Sequence, residues 1–167
     1  MTGGVVSPSI DLGSELAGLL ERAVADTLSN MAGFHPVAGA FQILDEAKIH
    51  GDISGIMNVG SRDWDGAFIL TFPKATIFHI LARIYKRSFD ELNVSVQEAV
   101  AEFTNVIFGT FKSHLSQHGV SLSMSLPNLV MGDDHRVVSM LRGPSLLLPM
   151  EVAGLPFHIV FNIYKKT

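Results

Sequence analysis

The stretch from Phe41 to Phe72 limits the fold of this 167-residue chain more than any other. Its apolar residues leave helical spacing and settle into three short strand-like segments, near 42–49, 53–59 and 64–72. Gly51-Asp52 and Ser61-Arg62-Asp63 supply the turns between them. Such short connections join antiparallel neighbours, because a parallel pair needs a crossover of about a dozen residues or more. The pattern is a meander rather than a parallel βαβ arrangement.

Helical periodicity surrounds it. Ser14 is placed to cap a helix from Glu15, with Leu16, Leu19, Leu20, Val24, Leu28 and Met31 as its apolar set, ended by Gly33 and Pro36. Pro73 opens a second helix to about Lys86, with Ile77, Ile80, Leu81 and Ile84 on one face. After a linker at 88–93, a long helix runs from about Ser95 to His118 and stops at Gly119. Strand regions follow at 121–131, 136–141 with 145–152, and 157–164, with turns at Asp133-Asp134, Gly143-Pro144 and Gly154. Runs of strands separated by helices in this order predict an α+β fold: one domain, a two-layer sandwich, its mostly antiparallel sheet carrying helices on one side. Residues 1–13, with Gly3, Gly4, Ser7, Pro8 and Ser9, read as a flexible tail, and 14–167 as the domain.

Composition narrows the function. Hydrophobic residues make up 47% and charged residues 17%, a lightly charged surface that predicts a homodimer. A formal net charge of −4 without a dense Lys/Arg stripe argues against a nucleic-acid partner. With no cysteine, disulfide scaffolds, thiolate metal sites and cysteine nucleophiles are excluded. The first residues lack the basic and apolar regions of a signal peptide, and no apolar run approaches the roughly 18 residues of a spanning helix. The expectation is a cytoplasmic protein without a membrane partner.

The long helix carries the chemistry. At about 100° per residue, Val96, Val100, Phe103, Ile107 and Phe111 share one stripe, and Glu98, Glu102, Asn105, Gly109 and Lys112 lie almost opposite. A charged stripe is usually just a solvated face. Yet Asn105 is a poor mid-helix residue, and Gly109 costs roughly 1 kcal/mol against Ala there. A solvated face has no use for either; a face that another protein must approach closely does. Periodicity alone leaves both readings open.

The segment 96–109, VQEAVAEFTNVIFG, with Glu102 three residues before Asn105 and Gly109 four after, resembles the signature helix of the CheX/CheC/FliY chemotaxis phosphatases. So do other features in the same order: Asn-Met-Ala-Gly at 30–33, Gly-Asp-Ile-Ser-Gly at 51–55, and Thr71-Phe72-Pro73. Met124-Ser125-Leu126-Pro127 through Val130, then Gly132 and His135, complete the likeness, which covers roughly 14–160. Two positions depart from the family. Glu98 stands where Asp or Ser is common, and Thr27 stands three residues before Asn30, where relatives with two sites have Glu. The resemblance therefore implies one site per chain, the CheX-like arrangement.

What it implies chemically is removal of phosphate from the aspartyl phosphate of a CheY-like response-regulator receiver domain. The receiver supplies Mg²⁺, so this chain needs no cofactor of its own. The resemblance makes Asn105 the residue that orients the attacking water, and Glu102 the partner of a receiver lysine. Glu98, Gly109 and Lys112 are then further partner-binding positions. The same resemblance implies a homodimer paired through the sheets. A non-catalytic receiver-binding or dimerisation module is the alternative, and retention of both Glu102 and Asn105 argues for turnover. His114 and His118 have the i, i+4 spacing of a metal pair but no third ligand, and both are expected toward the core stripe.

Overall fold

The computed structural model describes residues 13–139 and 142–166. The expected tail at 1–13 lies, apart from Gly13, outside the described residues. The first helix, α1 (Ser14–Ala32), starts one residue earlier than expected: Gly13 is its N-cap, and Ser14 is helical rather than capping. Its buried residues include Leu16, Leu19, Leu20, Val24 and Leu28, as the periodicity requires. Gly33 ends it in the left-handed region at φ 67°, with Gly33 N–H donating to the Ser29 carbonyl and Phe34 N–H to that of Leu28.

The strands are β1 (Val37–Ala38), β2 (Gln42–Leu44), β3 (Ala47–Gly60), β4 (Trp64–Phe72), β5 (Ser123–Met124), β6 (Asn128–Ser139), β7 (Ser145–Val152) and β8 (Leu155–Lys165). Between β4 and β5 lie α2 (Lys74–Tyr85) and α3 (Val94–Gln117). All pairings are antiparallel, and the sheet order is β1-β7-β8-β4-β3-β5, with β2 also on β7 and β6 also on β3.

Two expected turns prove to be one structure. Gly51-Asp52 does not separate strands, because β3 runs straight through it; Asp133-Asp134 likewise lies inside β6. The two segments face each other. Gly51 pairs with His135 and Ile53 with Met131, so Asp52 stands opposite Gly132, Asp133 and Asp134. The extra residues form a bulge, with Asp134 at φ 47°. Turn-forming residues are thus absorbed by pairing to a partner more than 70 residues away in sequence.

The helices cover one face of the sheet. Phe68 and Phe72 of β4 and Phe157 and Phe161 of β8 meet Phe103, Phe108 and Phe111 of α3, all fully buried. The rings interlock: Phe111 stands edge-on to Phe161 at 4.9 Å, and Phe72 lies 6.4 Å from Phe103. Each fully buried large side chain contributes about 1.5–3 kcal/mol, so this aromatic layer is a main tie between α3 and the sheet. On the other face a smaller cluster of Ala47, Ile49, Ile69 and Val160 packs with Leu44, Ile56, Val137 and Leu147.

Candidate functional site

The long helix starts where a side chain can hold it. The Asn93 side-chain Oδ1 accepts from Val96 N–H at 3.1 Å, a capping bond of about 1 kcal/mol, and Gln97 Nε2 donates back to the Leu92 carbonyl at 2.9 Å. Its buried set contains the predicted Val96, Val100, Phe103, Ile107 and Phe111, and adds Thr104, Phe108 and Leu115. The additions arise because α3 packs against both the sheet and α1, which buries more than one stripe.

How α3 sits on the sheet fixes where Asn105 points. Gly55 on β3 has no side chain, and a Cβ there would come within 2.0 Å of the Thr104 hydroxyl oxygen. Thr104 is fully buried against that bare backbone and donates its hydroxyl proton to the Val100 carbonyl at 2.7 Å. The residue next to Thr104 is Asn105. The glycine ending the Gly-Asp-Ile-Ser-Gly segment therefore seats the helix at the position preceding the candidate amide.

The rest of that segment is a clasp. Ser54 is fully buried, with its hydroxyl 2.5 Å from that of Thr71 and 2.7 Å from His135 Nε2. His135 Nδ1 donates to the Gly132 carbonyl at 2.9 Å, so in the neutral ring Nε2 accepts from Ser54. With no solvent access, Ser54 is a structural hydroxyl and not a nucleophile. Asp52 holds the bulge to α2, accepting from the N–H groups of Lys74 at 2.7 Å and Asp134 at 2.8 Å. Burial pushes the Asp52 carboxyl up, but those two N–H donors and the charges of Lys74 and His135 together hold it below the usual carboxylate value. Lys74 Nζ closes the clasp by pairing with Asp133.

On the outward side of α3, Glu98 and Glu102 are exposed, and Asn105, Gly109 and Lys112 are half-buried. All five predicted positions thus share one accessible face. Among the described residues, the side chains of Glu98, Glu102, Asn105 and Lys112 make no hydrogen bond or ion pair. A Cβ at Gly109 would meet nothing within 4 Å, so packing inside the chain does not require glycine there. Asn105 thus keeps its amide oxygen and both N–H groups available, beside a carboxylate one turn away and a gap one turn on.

Of the histidine pair, one lies inward as expected and the other does not. His118 is exposed at the C-cap, and its Nδ1 lies 3.2 Å from the Glu15 carboxylate. His114 is half-buried, and its Nε2 is buried without a partner. No group of three or more His, Cys, Asp or Glu among the described residues is arranged to hold a metal ion.

Sequence reasoning missed the ground beside the acidic edge. A recess of about 290 Å³ is lined by Met31, Leu81, Ile84, Tyr85, Ala99 and Phe103, with Glu98 and Glu102 on its wall. Three helices build it, so no local pattern announces it; the one hint is Tyr85, placed off the apolar face of α2.

The sequence matches the family described as Chemotaxis phosphatase CheX over residues 49–151. The chain belongs to the CheX family. Its fold is similar to that of the chemotaxis protein CheX from Vibrio vulnificus, with a TM-score of 0.84 and 21% identity over 90% of this chain and 100% of that one. It is similar to CheX from Desulfovibrio desulfuricans, with a TM-score of 0.82 and 24% identity over 90% and 100%. A CheX–CheY–BeF₃–Mg²⁺ complex from Borrelia burgdorferi matches with a TM-score of 0.62 and 18% identity, over 87% of this chain and 96% of that one. No curated protein sequence matches the chain. At these identities the structural likenesses carry the fold, which is the CheX/CheC-like α+β sandwich. Among the described residues, no helix is long and apolar enough to cross a membrane.

Proposed function

We propose that this CheX-family chain, as a single domain over 14–167, is a cytoplasmic phosphatase for the aspartyl phosphate of a CheY-like receiver domain. One observation carries the reading. Glu102 and Asn105 stand a turn apart on an accessible helix face, with no partner among the described residues, beside a glycine that the chain's own packing does not demand.

In the reaction, water attacks phosphorus, the bond between phosphorus and the acyl oxygen breaks, and the receiver's aspartate leaves as a carboxylate. Inorganic phosphate departs, and the water's proton passes to it or to solvent. Mg²⁺ belongs to the receiver and neutralises charge on the phosphoryl oxygens. Asn105 supplies position: its oxygen accepts from the water while its N–H donates toward a phosphoryl oxygen. An amide is too weak a base to take the proton. Glu102 fixes the register by pairing with a basic residue of the receiver.

A homodimer belongs to the same proposal. Strand β6 borders the sheet beyond β3, and Val130 and Met131 on it are 40% and 46% exposed. An apolar edge of this kind is a pairing surface, and sedimentation of the purified chain tests it.

The deciding experiment is phosphate release from an Mg²⁺-loaded receiver domain charged by a small phosphodonor. The native chain accelerates release, and Asn105→Ala lowers the rate by about 100-fold. Equal rates with and without the native chain, across a panel of CheY-like receivers, would overturn the enzyme reading. Tight binding without acceleration would make the chain a receiver-binding module instead.

A further inference from the structure

The recess beside the acidic edge has an odd electrostatic setting. Two arginines near the end of α2 and just beyond it both lie on aromatic rings. Arg83 sits 4.6 Å over Phe34, and Arg87 sits 4.5 Å over Phe89. Glu98 and Glu102 are left without a cation among the described residues. Two unpartnered carboxylates thus border an apolar floor of Leu81, Ile84, Ala99 and Phe103. At the mouth, Met31 is 37% exposed and Tyr85 is 48% exposed. Large apolar side chains beside unpaired acids are what a protein contact buries, not what a solvated face needs.

The recess is also continuous with the candidate site. Glu102 lines its wall and lies one turn from Asn105 on the same helix. Its volume of about 290 Å³ falls at the lower limit for small-molecule sites, and it is open to solvent, so it suits one inserted side chain.

We infer that this recess is a second anchoring point for the receiver domain. It takes an apolar side chain of the receiver that stands next to the basic residue held by Glu102, and Glu98 completes the acidic wall. Tyr85 and Ala99 are then specificity-determining positions: they decide which receivers bind and leave the attack on phosphorus to Asn105. The inference rests on the receiver-phosphatase reading above. Burial of an aromatic or aliphatic anchor in such a pocket commonly dominates the energetics of a contact.

The test uses the full chain and a receiver domain held in its activated form by beryllium fluoride and Mg²⁺. Two variants probe the recess. Tyr85→Ser removes the lip, and Ala99→Gln fills the floor from a half-buried helix position where glutamine is well tolerated. Both are expected to weaken receiver binding at least fivefold and to raise the KM for the phosphorylated receiver correspondingly. Their kcat changes far less than that of Asn105→Ala, and melting curves confirm that they fold. Binding within twofold of the native chain, while the native chain is an active phosphatase, overturns the recess and leaves the proposed function standing. A shift of the variants' sedimentation from dimer to monomer also overturns it, by assigning the recess to a second copy of the chain. An inactive native chain is a different failure, because it removes the phosphatase reading on which the recess depends.

Discussion

Both α1 and α3 carry a hydroxyl residue followed by asparagine, Ser29-Asn30 in one and Thr104-Asn105 in the other, and their surroundings part company at once. Three residues before Asn30 is Thr27, 3% exposed, which donates its hydroxyl proton to the Ala23 carbonyl at 2.8 Å. Three residues before Asn105 is Glu102, exposed and unpartnered among the described residues. Asn30 lies in the last turn of its helix, just ahead of the left-handed Gly33, where asparagine is well tolerated. Asn105 sits in mid-helix with further turns on both sides. The same amide is therefore part of a helix ending in one place and an accessible group on a long rigid face in the other. An Asn becomes a candidate site when an acid precedes it on the surface and the helix continues past it, not when the dipeptide alone is present.

The largest effect is expected from forcing the two helices to match. Thr27→Glu completes the Glu-x-x-Asn spacing on α1 but buries a carboxylate and loses the bond to Ala23, so it destabilises the fold by about 3 kcal/mol or more without adding phosphatase activity. Urea unfolding together with phosphate release measures both, and a stable, doubly active variant would erase the distinction. Next comes the pair of amides. Asn105→Ala lowers the rate by about 100-fold, whereas Asn30→Ala changes it less than twofold in the same assay. Glu102→Gln is smaller: loss of a charge-assisted contact raises the KM for the receiver by about tenfold and flattens its dependence on salt. Smallest is Gly109→Ala. With open space around the new Cβ, it stabilises the helix by about 0.5–1 kcal/mol. The same methyl group reduces receiver affinity a few-fold, so stability and binding move in opposite directions. If both rise together, Gly109 has no part in the docking face.

What could be read from the sequence divides along the reach of each signal. The face of α3 was legible because helical periodicity is local and the chain obeys it from Val96 to Phe111. The antiparallel meander from β3 to β4 was legible for the same reason. Turn chemistry misled at Gly51-Asp52 and Asp133-Asp134, since each segment has the residues of a turn and only their mutual pairing converts them to a bulge. Strand β1 at Val37–Ala38 had no signal of its own and exists because β7 offers an edge to pair with. The recess under Tyr85 depends on where three helices end, which no window of the sequence contains. Gly51–Gly55 was visible as a landmark, but its work in seating α3 required the packed structure.

The bed that Gly55 provides for Thr104 has a consequence for how a partner meets this protein. Asn105 inherits the positional tolerance of a β-sheet, because its neighbour rests directly on strand backbone and the helix cannot slide without displacing it. A loop-borne amide would have to be immobilised at each encounter, and the lost freedom would be charged against affinity. Here that ordering is complete when the chain folds. The chain meets its partner as a stamp rather than a hand, and its discrimination lies in whether the incoming surface already has the right relief.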